Sequence, residues 1–407
     1  MLCTVTGSPS HTRSLVPITR ALAARGHDVL VVVPEDFVEL LAAENLTTAG
    51  VLYGMRERLR DMMAEDKQPL HPASNPGDMS TIVRVMAGPL AVDAYQRALP
   101  LAEEFRPDVV VRDDAEFGGL LLAEKLGIPH ICLPGGFSNV GDPVIAAEAL
   151  AEHVRLAGLD VELGPDCVYR HGRIDYVPTE FSFTAVDAPL ALAYRQPVLV
   201  RPGERLPAWL TEVPADKPLV LAAIGTALPL TTKVDKEKLK GPKLPAAFAN
   251  IDPAKRLRTV IEALAGVDCT AVVATGGVPV PDAPIAPNVH LVEHVPQPLV
   301  LECADLFVTH GGYNGIREAL RAGVPMVVQP AFGDQPSNSD RVEELGLGLR
   351  IHDGAVEEIR SACTRVLTEP RFAARAAQAK RAMLALPDLD QAVMDIEAVV
   401  KGSPVPA

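Results

Sequence analysis

The sequence predicts an α/β protein made of two doubly wound parallel sheets, and three observations predict it. Short β-branched runs alternate with helical patterns in both halves of the chain, the order that builds a parallel sheet covered by helices. The run VLVVV at 29–33 is apolar without alternation, as suits a strand covered on both faces. Residues 200–216 concentrate proline, glycine and charge between the two patterns, the composition of a domain linker. We therefore expect a first domain at 1–199, a linker at 200–216 and a second domain at 217–385. The last stretch, 386–407, is amphipathic; it either returns to the first domain or serves the interface of a homodimer.

Each element has its own signal. LCTVTG at 2–7 reads as a strand and LVPITRALAARG at 15–26 as the helix after it; VLVVVP at 29–34 is the next strand and a central one. PDVVVRD at 107–113 leads into the helical GGLLLAEKLGIP at 118–129, and IPHICLPG at 128–135 adds a short strand. From about 138 to 195 the pattern is helical and irregular. After the linker, PLVLAAIGT, CTAVVATGG, NVHLVEHVPQ, ADLFVTHGG and VPMVVQP read as strands, and the chain ends in helices rich in alanine and arginine. The lysine-rich 231–245 reads as a solvated loop. The halves share an architecture but no repeat period, which excludes a solenoid.

Composition removes several function classes. A length of 407 residues fits two domains. With 52 acidic against 38 basic side chains the formal charge is −14, a field that repels polyanions and anionic membrane surfaces, so neither nucleic acid nor a membrane is expected as a partner. The six cysteines, Cys3, Cys132, Cys167, Cys269, Cys303 and Cys363, lack metal-binding spacing and read as buried reduced thiols. No apolar stretch approaches the ~20 residues of a membrane helix and the opening lacks a signal-peptide pattern, so a cytoplasmic soluble protein is expected.

Open parallel sheets bind ligands at the carboxyl ends of their strands, and two such domains suggest a cleft between them. The strongest signal is 304–335. There ADLFVT runs into His310, Gly311 and Gly312, and a helix starts near Tyr313 to Gly315 and stops at Gly323, with Pro325 beyond. Glycines let backbone amides approach a ligand, and the helix start supplies unpaired N–H groups: an anion site, with neither dinucleotide nor Walker spacing. A histidine bonded only to local backbone is the alternative reading of His310. Glu318, one turn into the helix, can accept from sugar hydroxyls, and Asp334 with Gln335, after the next strand, offers acceptors and donors suited to a polyol. In the first half, His11 opens a helix after a strand end, and an unperturbed imidazole titrates near 6.5, close to the working pH of a base. Asp113 ends PDVVVRD and either orients a histidine or caps the following helix. Asp114 is expected to point elsewhere if the strand persists, because side chains alternate along a strand.

These blocks resemble the family 1 glycosyltransferases of the GT-B fold, bacterial natural-product members in particular. The resemblance rests on GSPSHTRSLVPITRALAARGHDV, PDVVVRDDAEFGGLLLAEKLGIP, PLVLAAIGT, and VEHVPQPLVLECADLFVTHGG continuing to Gln335. It implies that His310 contacts a donor diphosphate with Gly311, Gly312 and Asn314, while Gly315 stands where serine or threonine is common and so removes a hydroxyl contact. It implies Glu318 on the ribose, Asp334 and Gln335 on the sugar hydroxyls, and Gly225 and Thr226 over the diphosphate. His294 takes the place of a tryptophan that stacks on the base in plant members, with Val295 able to read a pyrimidine edge and Gln297 following. His11 becomes the catalytic base, although Pro9 and Ser10 depart from the residues usual before it, and Asp113 becomes its orienting acid.

The implied activity is an inverting, metal-independent transfer of a sugar from a dTDP- or UDP-sugar to a hydroxyl of a hydrophobic natural-product aglycone, with no cofactor. The only D-x-D string, Asp388 to Asp390, lies near the C-terminus. The aglycone is expected on 50–100 and 136–180, where Met55, Met62, Met63, Met79 and Met86 are either core or acceptor contacts. A non-catalytic nucleotide-sugar-binding protein and a nucleotide-sugar epimerase are the alternatives.

Overall fold

The structure, a computed structural model, describes residues 1–6, 9–54, 79–184, 191–201, 203–225, 251–280 and 285–403. Thr226, Met55, Met62, Met63 and the lysine-rich 231–245 lie outside the described residues. The chain forms two compact units, Met1–Arg195 joined by the stretch from Leu386 onward, and Gln196 through Ala385.

In the first unit five strands, β1 (Leu2–Thr4), β2 (Leu30–Pro34), β3 (Thr47–Leu52), β4 (Val110–Asp113) and β5 (His130–Leu133), form a parallel sheet in the order β3-β2-β1-β4-β5. Every residue of β1, β2, β4 and β5 is buried, which is why VLVVV carries no polar alternation. Leu2, Leu30, Val32 and Val110 pack with Leu120, Leu121 and Leu122 of the helix Gly118–Leu126. Each such side chain, fully buried, contributes about 1.5–3 kcal/mol relative to exposure. The winding runs one way from β1 to β3 and the other way from β4 to β5. The strand order therefore reverses between β1 and β4, where the sheet opens a crevice at its carboxyl edge.

The stretch after β5 holds the helix Pro143–Leu156, whose N-terminal amide at Val144 is capped by Asp142, and a short parallel pair, β6 (Ile174–Asp175) with β7 (Leu192–Ala193). The C-terminal helix Leu389–Val400 packs on the helix Pro9–Ala24 of the same unit. Its Glu397 accepts from Arg25 Nε at 3.3 Å and lies 3.0 Å from His27 Nε2, and its Asp395 accepts from the Tyr194 hydroxyl at 2.5 Å. Asp388 caps this helix by accepting from the Gln391 amide, so the D-x-D string is a helix start.

The second unit holds β8 (Leu219–Ala223), β9 (Thr270–Ala274), β10 (Val289–Val292), β11 (Leu306–Thr309), β12 (Met326–Val328) and β13 (Gly348–Arg350), all parallel in the order β10-β9-β8-β11-β12-β13. Its core joins Val220, Val273 and Val308 to Leu257, Ile261 and Leu264 of the helix Pro253–Ala265. Here the order reverses between β8 and β11.

Five cysteines are buried, and burial pushes the Cys3 and Cys132 thiols up to about 12. Cys303 departs from the expectation: it is exposed, because it follows the helix Gln297–Leu301 on that helix's outer side. Among the described residues no helix is long and apolar enough to cross a membrane.

Candidate active site

Each reversal point carries a histidine. In the first unit His11 is the third residue of the helix Pro9–Ala24. The β1–β4 register, Thr4 beside Arg112, puts Asp113 just beyond the last residue of β1. The His11 Nδ1 lies 3.0 and 2.9 Å from the two carboxylate oxygens of Asp113, whose side chain is 1% exposed against 21% for His11. An ionised carboxylate only accepts, so Nδ1 carries the proton and the Nε2 lone pair is the basic one.

The second reading of Asp113, a helix cap, belongs instead to Glu116. Its carboxylate accepts from the amides of Gly118 and Gly119 at 2.6 and 2.8 Å and from the Thr4 hydroxyl at 2.5 Å. Asp113 accepts a turn bond from the Ala115 amide and otherwise serves His11. Arg112, fully buried, donates to the carbonyls of Asp113, Asp114, Glu116 and Val168, which fixes the loop after β4.

Asp114 does not point elsewhere. The strand ends at Asp113, so the alternation that would turn the next side chain away no longer applies. Its carboxyl is buried beside the pair, and burial together with the charge of Asp113 raises it to about 7. Among the described residues, His11, Asp113 and Asp114 are one group whose donor atoms all lie within 4.8 Å of one another. Within this group the His11 Nδ1 is engaged with Asp113.

In the second unit β11 delivers His310 into the turn before the helix Tyr313–Ala322. Gly311 has φ +84° and Gly312 is the N-cap, with no side chain capping the helix. The imidazole is held between two glycines. A Cβ on Gly225 would lie 2.4 Å from it and one on Gly312 2.5 Å, and Gly225 also has φ +76°, so both glycines are required. Burial, and then the positive charge of Arg256, lower His310 to about 4.

The other expected residues divide. Gln297 Nε2 donates to Glu318 at 2.6 Å, which brings those two together. Asp334 accepts from Asn338 Nδ2 at 2.7 Å, and the same amide donates to the Gly311 carbonyl at 2.9 Å, tying Asp334 to the glycine turn. Asn314 accepts from Arg317 one turn on, and Gly315 is buried within the helix. Gln335 is buried and its Oε1 accepts from the amides of Ala331 and Phe332, so that oxygen holds its own loop and only the NH2 group remains for a ligand. His294 is 73% exposed and lies 3.3 Å from Glu293, and Val295 follows it half-buried after β10.

The chain is similar to known glycosyltransferases in sequence and in fold. Residues 258–399 match the family model for the C-terminal domain of erythromycin biosynthesis protein CIII-like proteins. The chain is 27% identical to the 4'-demethylrebeccamycin synthase of Lentzea aerocolonigenes over 98% of this chain and 99% of that one. It is 29% identical to the demethyllactenocin mycarosyltransferase of Streptomyces fradiae, over 89% and 78%. Among solved structures, the spinosyn rhamnosyltransferase SpnG superposes with a TM-score of 0.75 at 23% identity, covering 97% of this chain and 99% of that one. The chain is a glycosyltransferase with the GT-B fold.

Sequence reasoning missed four residues of the transferase. Glu116, Asn338 and Gly135 act through contacts 112, 27 and more than 20 residues away, which no local spacing reveals. Arg256 reaches the carbonyls of Gln329 and Pro330, at 3.1 Å to the latter, and lines a recess with His310, Ala223 and Gln329. The only signal for it was a basic residue in a helix start.

Proposed function

We propose that the chain transfers a sugar from a nucleoside diphosphate sugar to a hydroxyl group of a hydrophobic acceptor, with inversion and without a metal ion. The observation that carries this reading is the His11–Asp113 pair at the sheet reversal. His11 Nε2 removes the acceptor hydroxyl proton while that oxygen attacks the anomeric carbon; the bond from that carbon to the diphosphate oxygen breaks on the opposite face, and its electron pair leaves with the diphosphate. Asp113 stabilises the imidazolium that forms. Charge developing on the leaving group meets His310, the positive end of the helix Tyr313–Ala322 and the cation of Arg256.

Support for a thymidine donor comes from relatives of the same fold, VinC and SpnG, whose structures contain thymidine diphosphate. SpnG also binds the spinosyn aglycone. In this chain an apolar recess in the first unit, lined by Leu52, Tyr53, Met86, Leu90, Ala91 and Phe117, suits such an acceptor and falls partly within the expected 50–100 stretch. Exposed Tyr53 carries Arg97 over its ring, 3.5 Å from the centroid, at the rim of that recess.

Calorimetry with dTDP, UDP and thymidine tests the donor, and turnover with a panel of polyketide aglycones in the presence of EDTA tests the transfer. We expect dTDP to bind more tightly than thymidine, chelator-resistant transfer, and a product of inverted anomeric configuration by proton NMR. A retained anomer or loss of activity with chelator overturns the mechanism.

A further inference from the structure

The turn Pro134–Ser138 after β5 encloses the His11–Asp113 pair through one residue to which the reaction above assigns no part. Asp114 is 1% exposed. Its Oδ2 accepts from the Gly136 amide at 3.0 Å, the Ser138 amide at 3.0 Å and the Ser138 hydroxyl at 3.3 Å. Its Oδ1 is buried without a hydrogen-bond partner. That oxygen converges with the pair. A Cβ placed on Gly135 would lie 2.4 Å from Asp114 Oδ1, 2.4 Å from Asp113 Oδ2 and 2.8 Å from His11 Nδ1, so these three atoms surround one point against which only a glycine can pack.

We propose that Asp114 is a positioning residue for the base: it clamps the Gly135–Ser138 turn behind His11 and Asp113 and presents a second carboxylate to the imidazolium formed during transfer. The inference rests on the reading of His11 as base. A buried carboxyl with one oxygen triply bonded and the other bare is costly unless the bare oxygen meets a proton or a positive charge. The charge nearest that oxygen during turnover is the His11 imidazolium. The groups facing Asp114 are His11 from the helix Pro9–Ala24, Asp113 and Arg112 on β4, Cys132 on β5 and Tyr169 in the turn before β6. The two terminal nitrogens of Arg112 donate to backbone carbonyls and its Nε has no hydrogen-bond partner, so its charge acts on the Asp114 carboxylate without a direct bond. Burial and the Asp113 charge hold the Asp114 carboxyl high enough to titrate near neutrality, which makes its effect readable in a pH profile.

The variant Asp114→Asn keeps the shape and the acceptor for the turn but removes the charge. The profile of kcat against pH is measured for wild type, His11→Ala, Asp114→Asn and Ser138→Ala, with circular dichroism to confirm folding. For Asp114→Asn we expect kcat about tenfold lower at pH 8, acceptor KM within twofold, and the acid limb shifted to lower pH by about one unit, because a histidine that loses a nearby negative charge holds its proton less tightly. Ser138→Ala, which removes one bond to the ionised form and leaves the turn amides, should raise the apparent ionisation by a fraction of a unit. If His11→Ala is inactive while Asp114→Asn and Ser138→Ala both keep the wild-type kcat and profile, Asp114 is only structural and this proposal is overturned. If His11→Ala is as active as wild type, the reading of the base itself fails. Should Asp114→Asn not fold, Ser138→Ala decides alone: an unmoved profile overturns the proposal.

Discussion

Each unit places a histidine at its sheet reversal, His11 after β1 and His310 after β11 on the other side of the switch, and gives it opposite surroundings. His11 stands partly in solvent with a carboxylate 2.9 Å from one ring nitrogen. His310 is packed between Gly225 and Gly312 near a guanidinium, and its ordinary pKa of 6.5 falls to about 4. An acid beside an imidazole favours its protonated form, whereas burial and a cation disfavour it. In the proposed reaction one ring takes a proton, and the other, neutral at ordinary pH, donates to the anion. The sheet reversal supplies a location; the neighbours decide the chemistry.

The comparison breaks first at His11. Replacing it with alanine should lower kcat about 10³-fold, within the usual contribution of a general base, while dTDP affinity changes less than twofold by calorimetry. Equal losses in both would mean that the two histidines share a role. Next, Gly225→Ala introduces a side chain at a positive φ and 2.4 Å from the His310 ring, and we expect about tenfold weaker dTDP binding, since a left-handed non-glycine residue alone costs about 1–2 kcal/mol. Arg256→Met should weaken dTDP about fivefold, leave thymidine binding unchanged, and move the His310 titration upward in a histidine NMR experiment, because a neighbouring cation is gone. An unmoved titration would remove Arg256 from the site.

The smallest effect concerns stability. Folding lowers the pKa of His310, so the unfolded chain takes up a proton below pH 6.5 that the folded chain refuses. Stability from this group is complete above pH 6.5 and is lost as pH falls towards 4. Other groups titrate in the same window, Asp114 with the opposite sign, so the test is the difference in unfolding free energy, from urea titration, between wild type and His310→Asn. It should be constant above pH 7 and move against wild type below 6.5, by at most about 1.4 kcal/mol per pH unit.

Much of this was legible along the chain because its causes are local. VLVVV announces a strand covered on both faces, and the glycines after ADLFVT announce the turn from a strand into a helix. His11 and Asp113, 102 residues apart, were joined by resemblance and not by any local rule. For Asp114 the alternation argument depended on the strand persisting, and β4 stops one residue earlier, a boundary that spacing does not fix. Gln335 was read as a ligand for hydroxyls, yet its carbonyl oxygen is used four residues away on its own loop. Arg256 and Asn338 act across folds of the chain that spacing cannot express.

The packing of Leu389–Val400 on Pro9–Ala24 has a consequence for how the polypeptide is made and rebuilt. Among the described residues, those from Gln196 to Ala385 all belong to the second unit, which can mature on the ribosome while its host still lacks its final helix. The host is finished only when the helix Leu389–Val400 emerges. A chimera that exchanges the nucleotide-sugar half therefore needs two junctions, at 195/196 and 385/386, and one cut after the linker would strand the closing helix with the wrong parent.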